Sequence, residues 1–272
     1  MRVWVDGVIA EPGASRLSVF DHGFTVGDGV FETCKVVDGQ PFALSRHLRR
    51  LARSAAGLAL PVPDEVALRE GIAGLLSAEP EAGRLRITYT GGPGPLGSER
   101  GDQGTTTVLA VSPGGSWEPS TKVSVVPWIR NERSAVAGLK TTSYAENVVA
   151  LAFARQRGAS EAIFANSRGE LCEGTGSNIF VVVDGELLTP PLSSGCLAGV
   201  TRELVIEWSG AKEVDLPLAV LDEAAEAFLT SSTRDVHPIQ SIDERVLAGT
   251  PGPVSSLAGE KFRDTSAGDV DP

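Results

Sequence analysis

Three charged residues lie in segments whose predicted structure could position them for catalysis. Lys140 lies just before residues 143–146, Ser-Tyr-Ala-Glu, whose serine and glutamate fit a capping box at the start of a helix. Glu173 opens a short glycine-rich segment between two predicted strands, and Arg50 lies on a basic helix. Each of these side chains, taken alone, is also typical of a solvated surface charge. A catalytic interpretation therefore depends on the whole set.

Several common catalytic patterns are missing from the chain. The segment 138–141, Gly-Leu-Lys-Thr, lacks the glycines of a P-loop, and no G-x-G-x-x-G follows a predicted strand. The histidines His22, His47 and His237 are dispersed and there is no G-x-S-x-G, so a serine or zinc hydrolase has little support. The three cysteines are never closely spaced, which argues against a disulfide framework and a metal site. The residues that remain as candidates for catalysis are a lysine, a glutamate and an arginine.

Such a set has the chemistry that pyridoxal phosphate requires. A lysine amine forms a Schiff base with the aldehyde of this cofactor, and a carboxylate keeps its pyridine nitrogen protonated so that the ring accepts electrons. An arginine and the N–H groups at a helix N-terminus hold the phosphate. Each of these three roles has a candidate in this sequence.

The chain resembles the class IV aminotransferases, the fold-type IV pyridoxal-phosphate family, up to about residue 245. This family includes branched-chain and D-amino-acid aminotransferases, (R)-amine transaminases and aminodeoxychorismate lyase. The resemblance implies an α+β fold of two domains, a small α/β domain and a larger β-rich one. It rests on six segments in the same order rather than on one pattern. These segments are residues 24–32, 47–51, 139–144, 173–180, 199–202 and 230–233.

The resemblance also implies a role for each matching residue. Lys140 is similar to the lysine that bonds the cofactor and moves the substrate proton, Glu173 to the glutamate that pairs with the pyridine nitrogen, and Arg50 to the phosphate arginine. Further residues implied to contact the cofactor are Tyr144, Val200, Thr201 and Ser232. Residues implied to contact the substrate are Phe31, Glu32, Thr33, Arg100 and Thr233.

Two reactions are compatible with this resemblance. The main prediction is a transaminase that moves an amino group between a small amino acid or primary amine and a 2-keto acid. The alternative is a lyase that releases pyruvate and 4-aminobenzoate from aminodeoxychorismate. Thr33 falls where the lyase carries a threonine, whereas Glu32 and Tyr144 are more similar to the transaminases. A non-enzymatic soluble scaffold is a remote third interpretation.

The sequence does not decide which residue would bind a substrate carboxylate. The D-amino-acid enzymes use an Arg-x-His pair after the strand that ends here at Thr90, and this chain has Thr-Gly-Gly instead. Arg100, in the glycine-rich loop, could take that role, because a bidentate arginine is a natural partner for a carboxylate. A solvated loop arginine is the plain alternative.

The predicted elements divide the chain into two domains. Asp-Gly turns connect hairpins in the first forty residues, and Leu spacing predicts a helix near residues 45–53. A Pro-, Gly- and Ser-rich stretch at 113–120 is typical of a linker. We therefore predict a small α+β domain over residues 1–116, a large cofactor-binding domain over 117–263 and a disordered tail over 264–272.

Composition narrows the possible partners. The 272 residues include 24 Lys and Arg against 35 Asp and Glu, a net charge of −11 that disfavours nucleic acid. The longest apolar run, residues 148–154, falls far short of the ~20 residues that cross a bilayer. No signal peptide is evident at the N-terminus, so we expect a cytoplasmic protein without membrane contact. Members of the resembled family form homodimers, and we expect the same here.

Overall fold

Two groups of residues, each with its own sheet, make up the computed structural model, which describes residues 1–272. Unit 1 contains Met1–Gly115, Leu139–Tyr144 and Val270–Pro272, and unit 2 contains Ser116–Gly138 and Ala145–Asp269. The division at residues 115 and 116 lies next to the predicted linker boundary. The segment that carries Lys140, however, belongs to unit 1 and not to the second domain in which the sequence places it.

Unit 1 has a six-stranded antiparallel sheet in the order β2-β1-β6-β5-β3-β4. Its strands are β1 (Val3–Val5), β2 (Val8–Ala10), β3 (Gly29–Val37), β4 (Gln40–Pro41), β5 (Arg84–Thr90) and β6 (Thr106–Ser112). Its helices are α1 (His22–Thr25), α2 (Leu44–Gly57) and α3 (Glu65–Ala78). The two predicted Asp-Gly hairpins are confirmed: Asp38 and Gly39 both take positive φ, as a tight hairpin turn requires.

The core of unit 1 is built from alternate residues of its strands and the apolar faces of α2 and α3. In β3, Val30, Cys34 and Val36 belong to this core. Because side chains alternate along a strand, Glu32 shares their face, whereas Phe31 and Thr33 point to the opposite one. This strand therefore presents two chemically different faces.

Unit 2 has a nine-stranded mixed sheet in the order β12-β11-β10-β13-β14-β7-β8-β9, with β15 paired to β14. Its strands are β7 (Thr121–Arg130), β8 (Glu161–Asn166), β9 (Leu171–Gly174), β10 (Asn178–Val183), β11 (Glu186–Thr189), β12 (Lys212–Glu213), β13 (Glu226–Ser231), β14 (Asp235–Ile242) and β15 (Arg245–Val246). Its helices are α4 (Ala145–Gln156), α5 (Val200–Ser209), α6 (Val220–Glu223) and α7 (Pro253–Gly268). Both units combine a sheet with helices, as the predicted α+β class requires.

The predicted disordered tail has regular structure instead. Helix α7 continues to Gly268, and the last three residues lie against the start of α2. The Val270 carbonyl accepts a bond from the Ala43 N–H at 2.7 Å, and the Asp271 carboxylate accepts from the N–H and Oγ of Ser45 at 2.8 and 2.6 Å. No side chain of α2 caps its own N-terminus, so Asp271 supplies the anionic partner that helix ends favour.

None of the helices is both long enough and apolar enough to cross a bilayer.

Candidate active site

Lys140 is held by its backbone between a strand and a helix of unit 1. Its N–H donates to Ser54 Oγ on α2 at 3.2 Å, and its carbonyl accepts from the Phe31 N–H on β3 at 3.0 Å. Two residues on, the Thr142 N–H donates to the Gly29 carbonyl at 2.8 Å. The segment 139–144 thus runs beside β3, which explains why it belongs to unit 1.

The predicted capping box after Lys140 is wrong. Helix α4 begins at Ala145. The Ser143 hydroxyl donates to the Gly27 carbonyl at 3.0 Å, and the Glu146 carboxylate pairs with Arg130 at 2.5 Å. Both side chains are therefore used in other contacts, and the backbone bonds to β3 and α2 position the lysine.

The Lys140 amine has aromatic neighbours. Its Nζ lies 4.3 Å from the centroid of the Phe31 ring and 3.5 Å from the Tyr144 hydroxyl. The two rings meet edge to face, with centroids 5.0 Å apart. The nitrogen thus has an aromatic ring on one side and a phenol hydroxyl within reach. The predicted residues Phe31, Lys140 and Tyr144 therefore do lie together.

A buried ionic cluster lies on the other face of β3. The Glu32 carboxylate is fully buried and accepts bonds from Arg50 Nε at 2.7 Å, Arg50 Nη2 at 2.6 Å and His47 Nδ1 at 2.6 Å. His47 and Arg50 are three residues apart on α2 and so share one helix face. The cluster ties α2 to the strand that carries Phe31.

The cluster has well-defined charges. Burial raises the pKa of the Glu32 carboxyl, but Arg50 and then His47 outweigh that effect and hold the pKa at about 2. Burial lowers the pKa of His47 below its usual value, against the opposing effect of Glu32. At neutral pH the Glu32 anion thus faces the Arg50 cation and a neutral imidazole.

Arg50 and Glu32 form an ion pair with each other, which the sequence analysis did not predict. Two Arg50 donors bond a carboxylate, and Glu32 is buried on the α2 side of β3, opposite to the face of Phe31. Their predicted phosphate and substrate roles stay predictions. His47 was not among the predicted site residues. Two features of the sequence indicate this cluster: a glutamate at an apolar position of β3, and the spacing of His47 and Arg50 on one helix face.

Arg100 forms hydrogen bonds and an ion pair with other residues of unit 1. It forms a bidentate pair with Asp28 at 2.6 and 2.7 Å, and it donates to the carbonyls of Leu58 and Ala59 at 2.6 and 2.8 Å. The bond from Arg100 is the main reason that the pKa of Asp28 is lowered. Arg100 fastens its loop to these residues, and its predicted contact with substrate stays a prediction.

Thr33 shares the Phe31 face of β3 and is half-buried. Arg86 on β5 stands directly opposite Thr33, and its guanidinium carbon lies 3.8 Å from the Phe31 centroid. The sequence interpretation did not single out Arg86, although its place in the alternating pattern of β5 puts it on this face.

The Glu173 carboxylate in unit 2 accepts a hydrogen bond from a backbone N–H and lies within ion-pair distance of an arginine. Glu173 Oε2 accepts from the Leu197 N–H at 2.8 Å, and Oε1 lies 3.2 Å from Arg130 Nε. Arg130 in turn stacks on the Phe164 ring at 4.3 Å and donates to Asn147 at 2.9 Å. A cation and a backbone N–H both favour an ionised carboxylate over a protonated one.

The start of α5 in unit 2 has the character of an anion site. Gly199 precedes the helix, and no side chain caps it. A Cβ at Gly199 would meet Asn178 Oδ1 at 2.0 Å, so only glycine lets the two come this close. Val200 and Thr201, both predicted to contact phosphate, form the buried first turn.

A second polar group lies beside this turn. Asn178 and Thr230 are directly opposite in the β10–β13 pair, so their side chains share a face. The Thr230 hydroxyl is buried and has no hydrogen-bond partner. An uncapped helix start and an unpaired hydroxyl fit a phosphate. Ser232 and Thr233 follow in the turn after β13, where the Thr233 carbonyl accepts from Trp117 Nε1 at 2.7 Å.

Comparisons with known proteins give one family. The family model described as Amino-transferase class IV matches residues 29–242. A putative branched-chain-amino-acid aminotransferase of Methanocaldococcus jannaschii is 31% identical, over 97% of this chain and 96% of that protein. A bifunctional aminodeoxychorismate lyase / D-amino acid transaminase of Mycobacterium tuberculosis is also 31% identical, over 92% and 94%.

The fold is also similar to that of solved structures. A hypothetical aminotransferase from Mycobacterium tuberculosis, in a PLP-bound form, superposes with a TM-score of 0.87 at 26% identity. The match covers 99% of this chain and 100% of that one. The similarity in sequence and in fold therefore extends over both units.

Replacing Glu32 by Gln tests the buried cluster. We expect a loss of about 3–5 kcal/mol in the free energy of unfolding at pH 7, because Arg50 would keep a buried charge without its anion. The free energy of unfolding is measured by urea titration. The matched control is Glu65→Gln, on the exposed side of α3, which should change it by about 0.5 kcal/mol or less.

The same variants test the pH dependence. The folded pKa of Glu32 is lower than the unfolded value of 4.5, so its stabilisation is present above pH 4.5 and is lost as the pH falls toward 2. The His47 pKa is also lower when folded, so acidification below 6.5 removes stability as well. Glu32→Gln should lose less stability between pH 4.5 and 2 than the wild type, because other carboxyls with a lowered pKa, such as Asp28, remain. An identical acid profile in the variant would show that the cluster contributes nothing.

Proposed function

The chain belongs to the class IV aminotransferase family, whose enzymes use pyridoxal phosphate, and we propose that it moves an amino group between a small amino acid or primary amine and a 2-keto acid. The observation that carries this proposal is the setting of Lys140. Its amine lies between an aromatic ring and a tyrosine hydroxyl, on a backbone bonded to both β3 and α2.

Lys140 is the residue that moves protons and bonds the cofactor. Pyridoxal phosphate supplies an aldehyde that bonds amines and a ring that accepts the electron pair of a cleaved Cα–H bond. Lys140 Nζ would hold the cofactor through its aldehyde and, when free, would take the proton from the substrate Cα. Phe31 limits the access of water to this nitrogen, since its ring covers the amine at 4.3 Å.

Tyr144 orients this chemistry from the same segment. Its hydroxyl lies 3.5 Å from Lys140 Nζ, and its ring is fixed edge to face on Phe31. A phenol in this position can donate to the cofactor's ring oxygen. We assign Tyr144 that role, in agreement with the sequence prediction.

The sequence predicts further cofactor ligands in unit 2, and their surroundings within that unit support those roles. Glu173 is the anion for the ring nitrogen, oriented by Leu197 and Arg130. The first turn of α5 with Thr201, the Thr230 hydroxyl and Ser232 are the donors for the phosphate. Arg50 is retained as a further phosphate ligand, with Glu32 fixing its guanidinium.

The lyase is the second candidate, and Thr33 is the observation that favours it. Thr33 projects from the same face of β3 as Phe31, the residue whose ring contacts Lys140. A hydroxyl here can hold a proton for a leaving pyruvate. One relative at 31% identity is named for both activities, lyase and D-amino acid transaminase.

A homodimer is proposed as the working form, and the cytoplasm as its location. Each unit carries large apolar side chains on its surface, including Phe20 and Phe24 in unit 1 and Trp128 and Val148 in unit 2. Phe24 is 79% exposed. Large apolar side chains in contact with water are typical of interfaces between proteins where they cluster. Light scattering should therefore give twice the chain mass of 28.4 kDa. A particle of the single-chain mass at micromolar concentration would contradict a dimer.

Replacing Lys140 by Ala tests the assignment of the nucleophile. Amino transfer should fall by about 10³-fold or more, since no other group here bonds the aldehyde. The visible absorption of the lysine-bound cofactor should be absent as well. Lys122→Ala, an exposed lysine on β7, is the matched control and should retain both signals. Full activity in Lys140→Ala would exclude the proposed role.

Replacing Thr33 by Ala separates the two reactions. If the lyase is the physiological activity, pyruvate release from aminodeoxychorismate should fall about 10²-fold, as expected for a removed proton donor. Transfer from alanine to 2-oxoglutarate should change by about threefold or less. Equal losses in both assays would make Thr33 a packing residue and leave the transaminase as the better candidate.

A further inference from the structure

We propose that Glu161 is a positioning residue, whose buried carboxylate fixes two segments of unit 2 relative to each other. One is segment 174–177, which follows Glu173. The other is the turn 231–234, which carries Ser232. This inference rests on the proposed function, because Glu173 and Ser232 are assigned there to pyridoxal phosphate. Glu161 itself contacts neither the cofactor nor the substrate, and it acts through the residues that it holds.

Segment 174–177 is bound to Glu161 by a backbone N–H and two hydroxyls. Glu161 is the first residue of β8 and is buried. Its Oε1 accepts from the N–H of Thr175 at 3.1 Å and also from the Thr175 hydroxyl, and its Oε2 accepts from Ser177 Oγ at 3.1 Å. A carboxylate that accepts three bonds from one short loop fixes the path of that loop. The connection from Glu173 to the start of β10 is therefore held by β8.

Arg234 connects the same carboxylate to the turn 231–234. Its Nη2 lies 3.5 Å from Glu161 Oε2, and the two side chains are 8% and 3% exposed. Burial lowers the pKa of the Arg234 guanidinium, and Glu161 opposes that effect. The Arg234 N–H closes the turn on the Ser231 carbonyl at 3.2 Å. Because buried opposite charges are costly to separate, the ion pair restricts the position of the turn.

Trp117 holds the same turn through two further contacts. Its Nε1 donates to the Thr233 carbonyl at 2.7 Å, and the Arg234 guanidinium carbon lies 4.1 Å from the centroid of its ring. A guanidinium on an indole face is stabilised by the ring electrons. The two residues that follow Ser232 are therefore both fixed, one by its carbonyl and one by its side chain.

Another buried carboxylate of unit 2 has a different kind of partner. Glu226 accepts from the N–H groups of Val254 and Ser255 at 3.1 and 2.7 Å, at the start of α7. It lies at the opposite end of β13 from Ser231. Glu226 thus holds one helix, whereas Glu161 joins two segments that each carry a predicted cofactor ligand. This contrast makes Glu226 the matched control.

The physical reason for such a connection is the rigidity of the cofactor. An anion for the ring nitrogen and a donor for the phosphate bind one molecule together only when their spacing matches it. If the two segments moved independently, only a fraction of the molecules would have the matching spacing, and the affinity would fall by that fraction. A carboxylate bonded to both segments removes this freedom before the cofactor binds.

Glu161→Gln tests the inference in the holoenzyme, because Gln keeps the shape of the side chain and removes the charge that holds Arg234. The apparent dissociation constant of pyridoxal phosphate is measured from the loss of visible absorption on dilution. It should rise about 10-fold or more, the equivalent of one hydrogen bond to a charged group. Glu226→Gln should change it about threefold or less, since its bonds serve α7 alone. Equal effects of the two variants would overturn the inference.

Amide hydrogen exchange of the full-length holoenzyme separates positioning from general stability. In Glu161→Gln, exchange should become about 10-fold faster or more in peptides that cover 174–178 and 231–235, because these segments lose a common partner. Peptides from α7 should not change. Glu226→Gln should give the reverse pattern. A uniform increase over all of unit 2 in Glu161→Gln would show a purely structural role and would contradict the proposal.

Arg234→Met tests whether the two residues act together. Its dissociation constant for the cofactor should rise by a factor similar to that of Glu161→Gln, and the double variant should bind no more weakly than either single variant. If the two losses add in full, Arg234 does not act through Glu161 and the connection between the segments is disproved.

Trp117→Phe gives a milder change that does not depend on the buried ion pair. Trp117 is 43% exposed, and Phe keeps an aromatic face for Arg234 while removing the Nε1 donor. The dissociation constant of the cofactor should rise about 3- to 10-fold, as expected for one neutral hydrogen bond. An unchanged value would show that the position of the turn does not affect the cofactor, against the inference.

Failure of this inference and failure of the proposed function are distinguishable. If the cofactor affinities follow the expected pattern but the wild type converts no amino donor, the transaminase proposal fails while the positioning role stands. If the wild type transfers amino groups and Glu161→Gln binds the cofactor as tightly as the wild type, only the positioning role fails.

Discussion

Strand β3 has to satisfy two different environments at once, and the rest of the site in unit 1 depends on this constraint. Its inward face carries Glu32, which is buried and bonded to Arg50 and His47 on α2. Its other face carries Phe31, whose ring contacts the Lys140 amine, and its backbone bonds the Lys140 carbonyl. Breaking a buried ion pair is expensive, so the cluster on one face keeps the strand in register for the other.

Each of the two units also contains charged side chains that are held by partners of opposite charge. Glu173 is held by Arg130 and a backbone N–H, and Arg100 is held by Asp28. These pairs fix side chains in place, because an unpaired charge away from water is costly. The Thr230 hydroxyl departs from this rule, because it is buried without a hydrogen-bond partner. A buried hydroxyl without a partner beside an uncapped helix start is a position where a ligand is expected to bind.

Similarity to relatives and local geometry answer different questions about this enzyme. Membership of the class IV aminotransferases establishes the cofactor and the general chemistry. The relatives at about 31% identity carry names for branched-chain, D-amino acid and lyase activities, so the family alone leaves the substrate open. The substrate therefore has to be identified from the surroundings of the Lys140 amine, where Phe31 and Tyr144 lie.

Local patterns in the sequence determined the elements and the family. The Asp-Gly hairpins, the Leu spacing of α2 and the ordered motifs around Lys140 and Glu173 depend on neighbouring residues, and such signals can be seen along the chain. The partners of the charged residues could not be found in this way. Glu32 and Arg50 are 18 residues apart and Arg100 and Asp28 are 72 apart, and nothing local links them.

Tertiary structure alone decided three further features. Asp271 lies at the start of α2, although a short acidic tail is typical of disorder. The Ser143 and Glu146 side chains bond Gly27 and Arg130 instead of each other's backbone N–H groups. Lys140 belongs to unit 1 because its backbone completes hydrogen bonds with β3. In each case a polar group bonds a partner that becomes its neighbour only in the folded chain. Local sequence patterns do not show which distant residues will be neighbours.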